Sequence, residues 1–274
     1  MRTEESERER KTEMDLKFIK YEKRNHVAYI TFNRPERMNA LHPPCHLEMD
    51  SVWDDFVADK SAWVAIVTGA GDKGFSAGND LRWTAENPDK LAEIISGKGG
   101  FAGITSRYDI YKPIIAAVNG FALGGGFEIA LACDIIIAAE HARFGLPEPR
   151  VGLMAAAGGV HRLPRQIPLK IAMGMMLTGK HITAADALRF GIANEVVPLK
   201  DLMATAEKWA AQIMECSPLS LQATKQAVMD GLGVPVEAAL AKHYDLQSKL
   251  FRSKDAVEGP LAFSLKRKPN WTGE

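Results

Sequence analysis

KPIIAAVNGFALGGGFEIALACDIIIAAEHARFGLPE, running from Lys112 to Glu148, is the stretch whose reading decides the fold. Pro113 to Val118 and Ile135 to Ala139 are continuous apolar runs, as expected of strands in a sheet covered on both faces. Phe127 to Ala132, between them, reads as a short buried helix. Strand, helix and strand in that order define a mixed α/β architecture. Gly124, Gly125 and Gly126 stand just before the helix, and three successive glycines forgo backbone stability. They are read either as close helix packing or as an approach of bare main chain to a ligand.

Working outward, Leu16 to Lys23 and Val27 to Asn33 alternate apolar with polar residues around Arg24-Asn25, the pattern of a half-buried hairpin that Pro35 ends. His46 to Ala58 has helical spacing, and Trp63 to Thr68 is a short β-rich run ending at Gly69-Ala70-Gly71. Short β/β/α turns therefore repeat. Beyond Pro168 helical patterns take over, at Ala172 to Leu177, Ala184 to Phe190, Leu202 to Glu215 and Pro218 to Met229. The division expected is a disordered charged tail over 1–14, a mixed core with the site over 15–200, and a helical C-terminal region over 201–274.

With 274 residues, 46% of them hydrophobic, the chain can bury a substantial core without covalent staples. Lys+Arg and Asp+Glu both number 34, so no global field draws it to nucleic acid or an anionic membrane. Cys45, Cys133 and Cys216 are widely spaced and form neither a disulfide framework nor a zinc site. A reducing cytoplasm fits that usage. MRTEESERERKTEM lacks the apolar run of a secretory signal, and no later stretch is long enough to span a membrane.

Glu128 and Glu148 carry the chemical signal. Glu128 is embedded in Gly126-Phe127-Glu128-Ile129-Ala130-Leu131-Ala132-Cys133, where a desolvated carboxylate gains a pKa in the range of an acid/base group. Glu148, between Pro147 and Pro149, reads by itself as a loop charge. A carboxylate after a glycine turn places a base beside exposed N–H groups, a combination suited to chemistry next to a carbonyl. Phe75-Ser76-Ala77-Gly78-Asn79-Asp80-Leu81 is a second glycine turn ahead of a helix start, read alone as an ordinary connector. Gly69-x-Gly71-x-x-Gly74 matches a dinucleotide fingerprint in letters only, because no helix opens at its glycines. His161, Arg162 and Arg165 read as a helix-end charge cluster, and Lys266-Arg267-Lys268 as a solvated tail. The scattered histidines support neither a nucleophilic triad nor a metal site.

The strings FSAGNDL (Phe75 to Leu81), Lys112 to Glu148 as quoted, and AGGVHRL (Ala157 to Leu163) resemble the crotonase, or enoyl-CoA hydratase/isomerase, superfamily from about Leu16 onward. Within it, GGFAGIT (Gly99 to Thr105) and DAVEGPLAFSLKRKPNW (Asp255 to Trp271) look like the carnitinyl-CoA dehydratase branch. The resemblance implies a ββα superhelix with a helical C-terminal trimerisation region, assembled as a homotrimer or homohexamer. It implies an oxyanion hole made by the backbone N–H groups of Asn79 and Gly125. Glu128 matches the carboxylate that activates water, and Glu148 the one that exchanges a proton at Cα, at the hydratase spacing. Ala77, Gly78, Asp80, Leu81, Arg82 and Gly124 match positions around coenzyme A, as do Phe263 and Lys266, often from a neighbouring subunit, with Arg34 a second phosphate candidate. Coenzyme A is part of the substrate, and no separate cofactor or metal is expected.

The activity implied is hydration of a trans-2-enoyl-CoA. The alternatives are an enoyl-CoA isomerase, a carnitinyl-CoA dehydratase and a non-catalytic acyl-CoA binding subunit. One departure from the family pattern bears on substrate, since Leu153-Met154-Ala155-Ala156-Ala157 stands where relatives place a Pro and a small or acidic residue. That apolar segment counts against a charged acyl chain. A trimethylammonium group would need an aromatic cage, for which Trp83, Phe101, Tyr108 and Tyr111 are the available members.

Overall fold

The computed structural model describes residues 14–90 and 97–274. Residues 1–13 of the expected tail lie outside the described residues, whereas Met14 already packs against the core with Leu16 and Phe18. β1 (Ile19–Arg24) and β2 (Val27–Phe32) form the antiparallel hairpin. Its two-residue turn is Asn25-His26, with φ of 50° and 64°, one position later than the sequence pattern centres it. Positive φ at both residues matches the twist of the flanking strands.

From the hairpin the first sheet grows by parallel pairing through β3 (Val64–Gly69), β5 (Ile114–Val118), β7 (Ile135–Ala139) and β10 (Glu195–Val197). A second sheet consists of β4 (Gly74–Ser76), β6 (Phe121–Leu123), β8 (Arg143–Gly145) and β9 (Ile182–Thr183). β3 leads to β4, β5 to β6 and β7 to β8, so each turn of the chain lays one strand in each sheet. This is the ββα superhelix expected. β9 and β10 are two and three residues long and half-buried, too short to register as β-rich runs in the helical half of the sequence.

The continuous apolar strands are explained by what covers each face. Ala65, Val67, Ala116, Val118 and Ala138 point into the larger cluster, with Phe32, Trp53, Phe56, Phe75, Phe127 and Phe144. Val64, Ile66, Ile115, Ala117, Ile137 and Ala139 point the other way, onto Leu202, Ala206 and Ala210 of α7 (Leu202–Met214). A sheet with both faces dry has no polar face to alternate.

α1 (Pro43–Ala58) crosses the larger cluster, burying Cys45, Met49, Val52, Trp53 and Phe56. The remaining helices are α2 (Leu81–Glu86), α3 (Gly125–Ala132), α4 (Gly159–Gln166), α5 (Leu169–Thr178), α6 (Ala184–Phe190), α8 (Pro218–Gly231), α9 (Val236–Ala241), α10 (Asp245–Leu250) and α11 (Lys254–Ser264). Among the described residues no helix is long and apolar enough to cross a membrane. The end of the chain is tied down by Asp255, 2% exposed, which accepts from Ser217 Oγ, Thr272 N and Gly273 N. The C-terminal helices still leave Leu232, Val236, Leu240, Phe251, Val257 and Phe263 bare.

The fingerprint glycines serve the sheet crossing. Gly69 ends β3 and Gly74 opens β4, while Asn119 Nδ2 donates to Gly69 O and Gly71 O and Asn39 Nδ2 donates to Ala70 O and Gly74 O. A strand rather than a helix follows the turn, so no helix terminus is aimed at a phosphate there.

α3 is seated against β4 through Gly126, where a Cβ would come within 2.0 Å of Ser76 O. Gly126→Ala must push α3 off the sheet, and overpacking of this kind costs about 1–3 kcal/mol. Denaturant unfolding should show a lower midpoint at unchanged m-value, and an unshifted midpoint would show that α3 has slack.

Candidate active site

Gly78 and Gly124 have φ of 85° and 53°, the left-handed region that glycine enters without cost. A Cβ on Gly78 would sit 2.6 Å from Leu123 O and 2.8 Å from Gly125 N, so the two glycine turns touch through bare backbone. Leu41 pairs with the Asn79 position, Leu41 N donating to Gly78 O and Asp80 N donating to Leu41 O. In such a parallel bridge the bridged residue's own amide faces away from the pairing strand. The Asn79 N–H is thereby directed away from Leu41. Gly125 opens α3, and the first amides of a helix have no partner inside it. Gly124 O is already taken by Phe127 N and Glu128 N, at 2.9 Å and 3.0 Å.

Glu128 lies in the first turn of α3 and is 3% exposed. Its Oε1 accepts from Gly159 N at 2.7 Å, and the nearby Ala157 amide also favours the charged form. Burial outweighs those bonds and, with the charge of Glu148 nearby, pushes the carboxyl up to about 7. Glu148 begins a 3-10 turn, Glu148–Val151, and its pKa is raised as well, by burial. Its carboxyl lies over Gly124, where a Cβ would be 3.0 Å from Oε1. Glu148 Oε2 is shut from solvent without a protein partner. The two acids are thus brought to the same glycine turn, Glu128 as the fourth residue of its helix and Glu148 against Gly124, the residue that caps it.

The other expected residues divide. Ala77 and Gly78 are held in place, Ala77 N donating to Met38 O and Gly78 N to Ser76 Oγ. Leu81 and Arg82 are exposed at the head of α2. Asp80 is occupied inside the protein: its carboxylate caps α2 through Trp83 N and pairs with Arg34 at 2.9 Å. Arg34 also donates to Ala40 O and is only 12% exposed, so the phosphate candidate is spent on the loop. Phe263 and Lys266 stand in solvent at the end of α11. Of the possible cage, Phe101 is buried against His46 with ring centroids 4.5 Å apart, whereas Tyr108 is 72% exposed. Those two rings face different surroundings.

Several supporting residues escape sequence reasoning. Ser76, fully buried, receives Gly78 N and donates to Asn39 O. Phe101 lies so close to Gly125 that a Cβ there would be 2.4 Å from its ring. Asn79 turns its amide to Thr84, Nδ2 donating to Thr84 Oγ1 at 2.8 Å. Gly159 had a signal, the Gly-Gly pair at the start of AGGVHRL, but no letter marks its N–H as the partner of Glu128.

A superhelix of paired strands, carrying two acids and two glycine turns at one place, defines a crotonase-fold protein. The chain belongs to the enoyl-CoA hydratase/isomerase family, whose model matches residues 22–274. It is 44% identical to a carnitinyl-CoA dehydratase of Escherichia coli (strain K12) over 254 residues, 90% of this chain and 95% of the relative. Among solved structures, an enoyl-CoA hydratase from Mycobacterium tuberculosis H37Rv superposes with a TM-score of 0.86 at 36% identity, covering 94% of this chain and 99% of that one. An enoyl-CoA hydratase from Bacillus anthracis gives 0.87 at 33% identity, covering 94% and 100%.

The raised carboxyl predicts how stability changes with pH. Because the folded pKa of Glu128, about 7, exceeds the ordinary 4.5, the folded state holds its proton more tightly than the unfolded chain. The stabilisation is complete below the unfolded value and is lost as pH rises through about 7. Glu128→Gln, which cannot ionise, should therefore be more stable than wild type at pH 8, by roughly 3 kcal/mol, and equal to it near pH 4. Thermal unfolding across that range checks the sign, and a difference independent of pH would refute the buried-charge account.

Proposed function

We propose that this chain is a hydro-lyase that adds water across the 2,3 double bond of a trans-2-enoyl-CoA thioester to give a 3-hydroxyacyl-CoA. The observation that carries the reading is the placement of two glutamates, Glu128 buried and Glu148 half-buried with its Oε2 shut from solvent, at the glycine turn that bears main-chain donors. Attack of water at Cβ moves electrons onto the thioester oxygen, and the N–H groups of Asn79 and Gly125 stabilise that charge by several kcal/mol because they are fixed beforehand. Glu128 takes a proton from water. The backbone hydrogen bond from Gly159 N favours its carboxylate form, as a base requires. Glu148 delivers a proton to Cα, a role its partnerless buried Oε2 suits. The proton gained by one acid replaces that lost by the other, and the pair titrates as a unit.

Ala77, Gly78, Leu81, Arg82 and Gly124 line the path for the coenzyme A portion, with Asp80 shaping the loop. Phe263 and Lys266 of a second copy complete it, Lys266 as a point charge for phosphate. The apolar side chains left bare on α9 to α11 suit burial against further copies in a homotrimer or homohexamer. The three free thiols suit a reducing cytoplasm. A second reading, dehydration of carnitinyl-CoA, is favoured by the relatives that carry that name. The dispersed aromatic rings and the apolar Leu153 to Ala157 segment weigh against it.

Loss of enoyl-CoA absorbance with crotonyl-, longer enoyl- and crotonobetainyl-CoA tests the reaction. Wild type should turn over at least one of them, and Glu148→Gln should lower kcat by about a hundredfold or more. Equal rates for wild type and variant would point to a binding subunit. Glu128→Ala should abolish hydration, whereas shift of a 3-enoyl double bond that survives this change would identify an isomerase. Sedimentation should give three or six copies, and a monomer at micromolar concentration would refute the assembly.

A further inference from the structure

Arg162, on α4, has the sequence setting of a helix-end charge, but the fold turns it inward. Its Nη2 donates to Thr105 O at 2.8 Å and its Nη1 to Ala157 O at 3.4 Å. Gly158, φ 111°, makes the room, since a Cβ there would lie 2.1 Å from Nη1. The two carbonyls belong to separate segments, the loop that holds Phe101 and the lead into α4. Gly159 gives its N–H to Glu128 and the Ala157 amide acts on the same carboxyl, so the guanidinium grips the far edge of that cradle. Thr105 closes the loop behind Gly125: its Oγ1 accepts from Phe101 N at 2.9 Å, and the Phe101 ring backs Gly125.

The other side of that loop is fastened to one face of α1. His46 Nδ1 accepts from Ala102 N, the Asp50 carboxylate accepts from Lys98 N and Gly99 N, and Trp53 Nε1 donates to Ala102 O. Residues at such spacing share a helix face. Two bodies meet at Arg162: the α1 clamp with its loop, and the α4 entry with its cradle.

We infer that Arg162 is a positioning residue, whose bridge between Thr105 O and Ala157 O holds the peptide that orients Glu128 and the loop that backs the Gly125 amide. The inference rests on the hydratase reading. Only a planar fork of donors spans two carbonyls in fixed directions, so lysine keeps the charge and loses the bridge. Two charged groups act on Glu128: Glu148, from the turn after β8, raises its pKa, and Arg162 lowers it. The other groups packed there, Leu146, Ala155, Ala157 and Gly159, carry no charge. Removing the guanidinium thus withdraws a stabilising charge from the base.

The experiment compares wild type, Arg162→Met and Arg162→Lys with the enoyl-CoA that wild type hydrates best, across pH 5 to 9, after thermal unfolding and sedimentation confirm folding. Arg162→Met should lose about tenfold or more in kcat with KM nearly unchanged, since misplacing a base by a fraction of an ångström costs rate rather than affinity. Its acidic limb should move to higher pH. Arg162→Lys should keep the wild-type limb and recover only part of kcat. Wild-type kcat and limb in Arg162→Met, or a KM that rises as far as kcat falls with the limb fixed, would overturn the inference. If Arg162→Met does not fold, Arg162→Lys decides, and wild-type kcat there overturns it. A wild type that hydrates no enoyl-CoA defeats the hydratase reading, a result separate from any of these.

Discussion

The contact on which the site depends is backbone against backbone, Gly78 lying on the Leu123 to Gly125 peptides with no side chain between them. A methyl group at Gly78 would meet Leu123 O at 2.6 Å, and one at Gly125 would enter the Phe101 ring. Both turns also need left-handed φ, at Gly78 and Gly124. Sequence therefore fixes the approach of two amides more strictly than any side-chain pairing could. The spiral supplies the rest, because β4 and β6 are neighbours in the second sheet and the turns that follow them emerge side by side. Donors held by strand pairing need little reorganisation when charge appears, which is what makes main-chain stabilisation effective.

A buried acid is the complementary cost. Glu128 gives up hydration and receives the Gly159 N–H bond in return, which is not enough to restore an ordinary carboxyl pKa. The shortfall is useful, since a group that titrates near neutrality can take a proton and return it. Glu148 is destabilised by burial too, and its charge raises the Glu128 pKa further. Replacing either by an apolar residue would make a better core. The fold retains two destabilised carboxyls at one turn, and such local disagreement with packing rules is how a site shows itself inside an otherwise consistent structure.

Much of this was legible in the sequence, for identifiable reasons. Ile135 to Ala139 and Ala184 to Phe190 are read to the residue, the first because both faces of its sheet are dry, the second because Thr183 and Asp186 form a capping box that fixes the helix start. Glu128 was visible as a lone charge in an apolar run. The hairpin turn was missed by one residue, because His26 with φ of 64° is not a residue that announces a turn. Arg34 and Asp80 looked available for ligand and proved to hold each other across 46 positions. Arg162 looked like surface charge, because its acceptor Thr105 O lies 57 positions away and nothing local marks a carbonyl as a partner. Letters report periodicity, breakers and misplaced charge; they do not report which distant carbonyl a side chain will find.

That difference also separates chemistry from substrate choice in this fold. The acids and donors sit on α3, on the turn after β8 and on the loop after β4, all braced by the two sheets. The segment from Leu153 to Ala157 is braced differently: Ala155 and Ala157 are buried beside Glu128, while Leu153 and Met154 are largely exposed. Its two buried alanines face the carboxylate cradle, and its outer residues face solvent. The departure from the family pattern leaves the cradle in place, because Gly159 N still reaches Glu128. The cradle is held by geometry that the spiral enforces, and Leu153 and Met154 are left free of it.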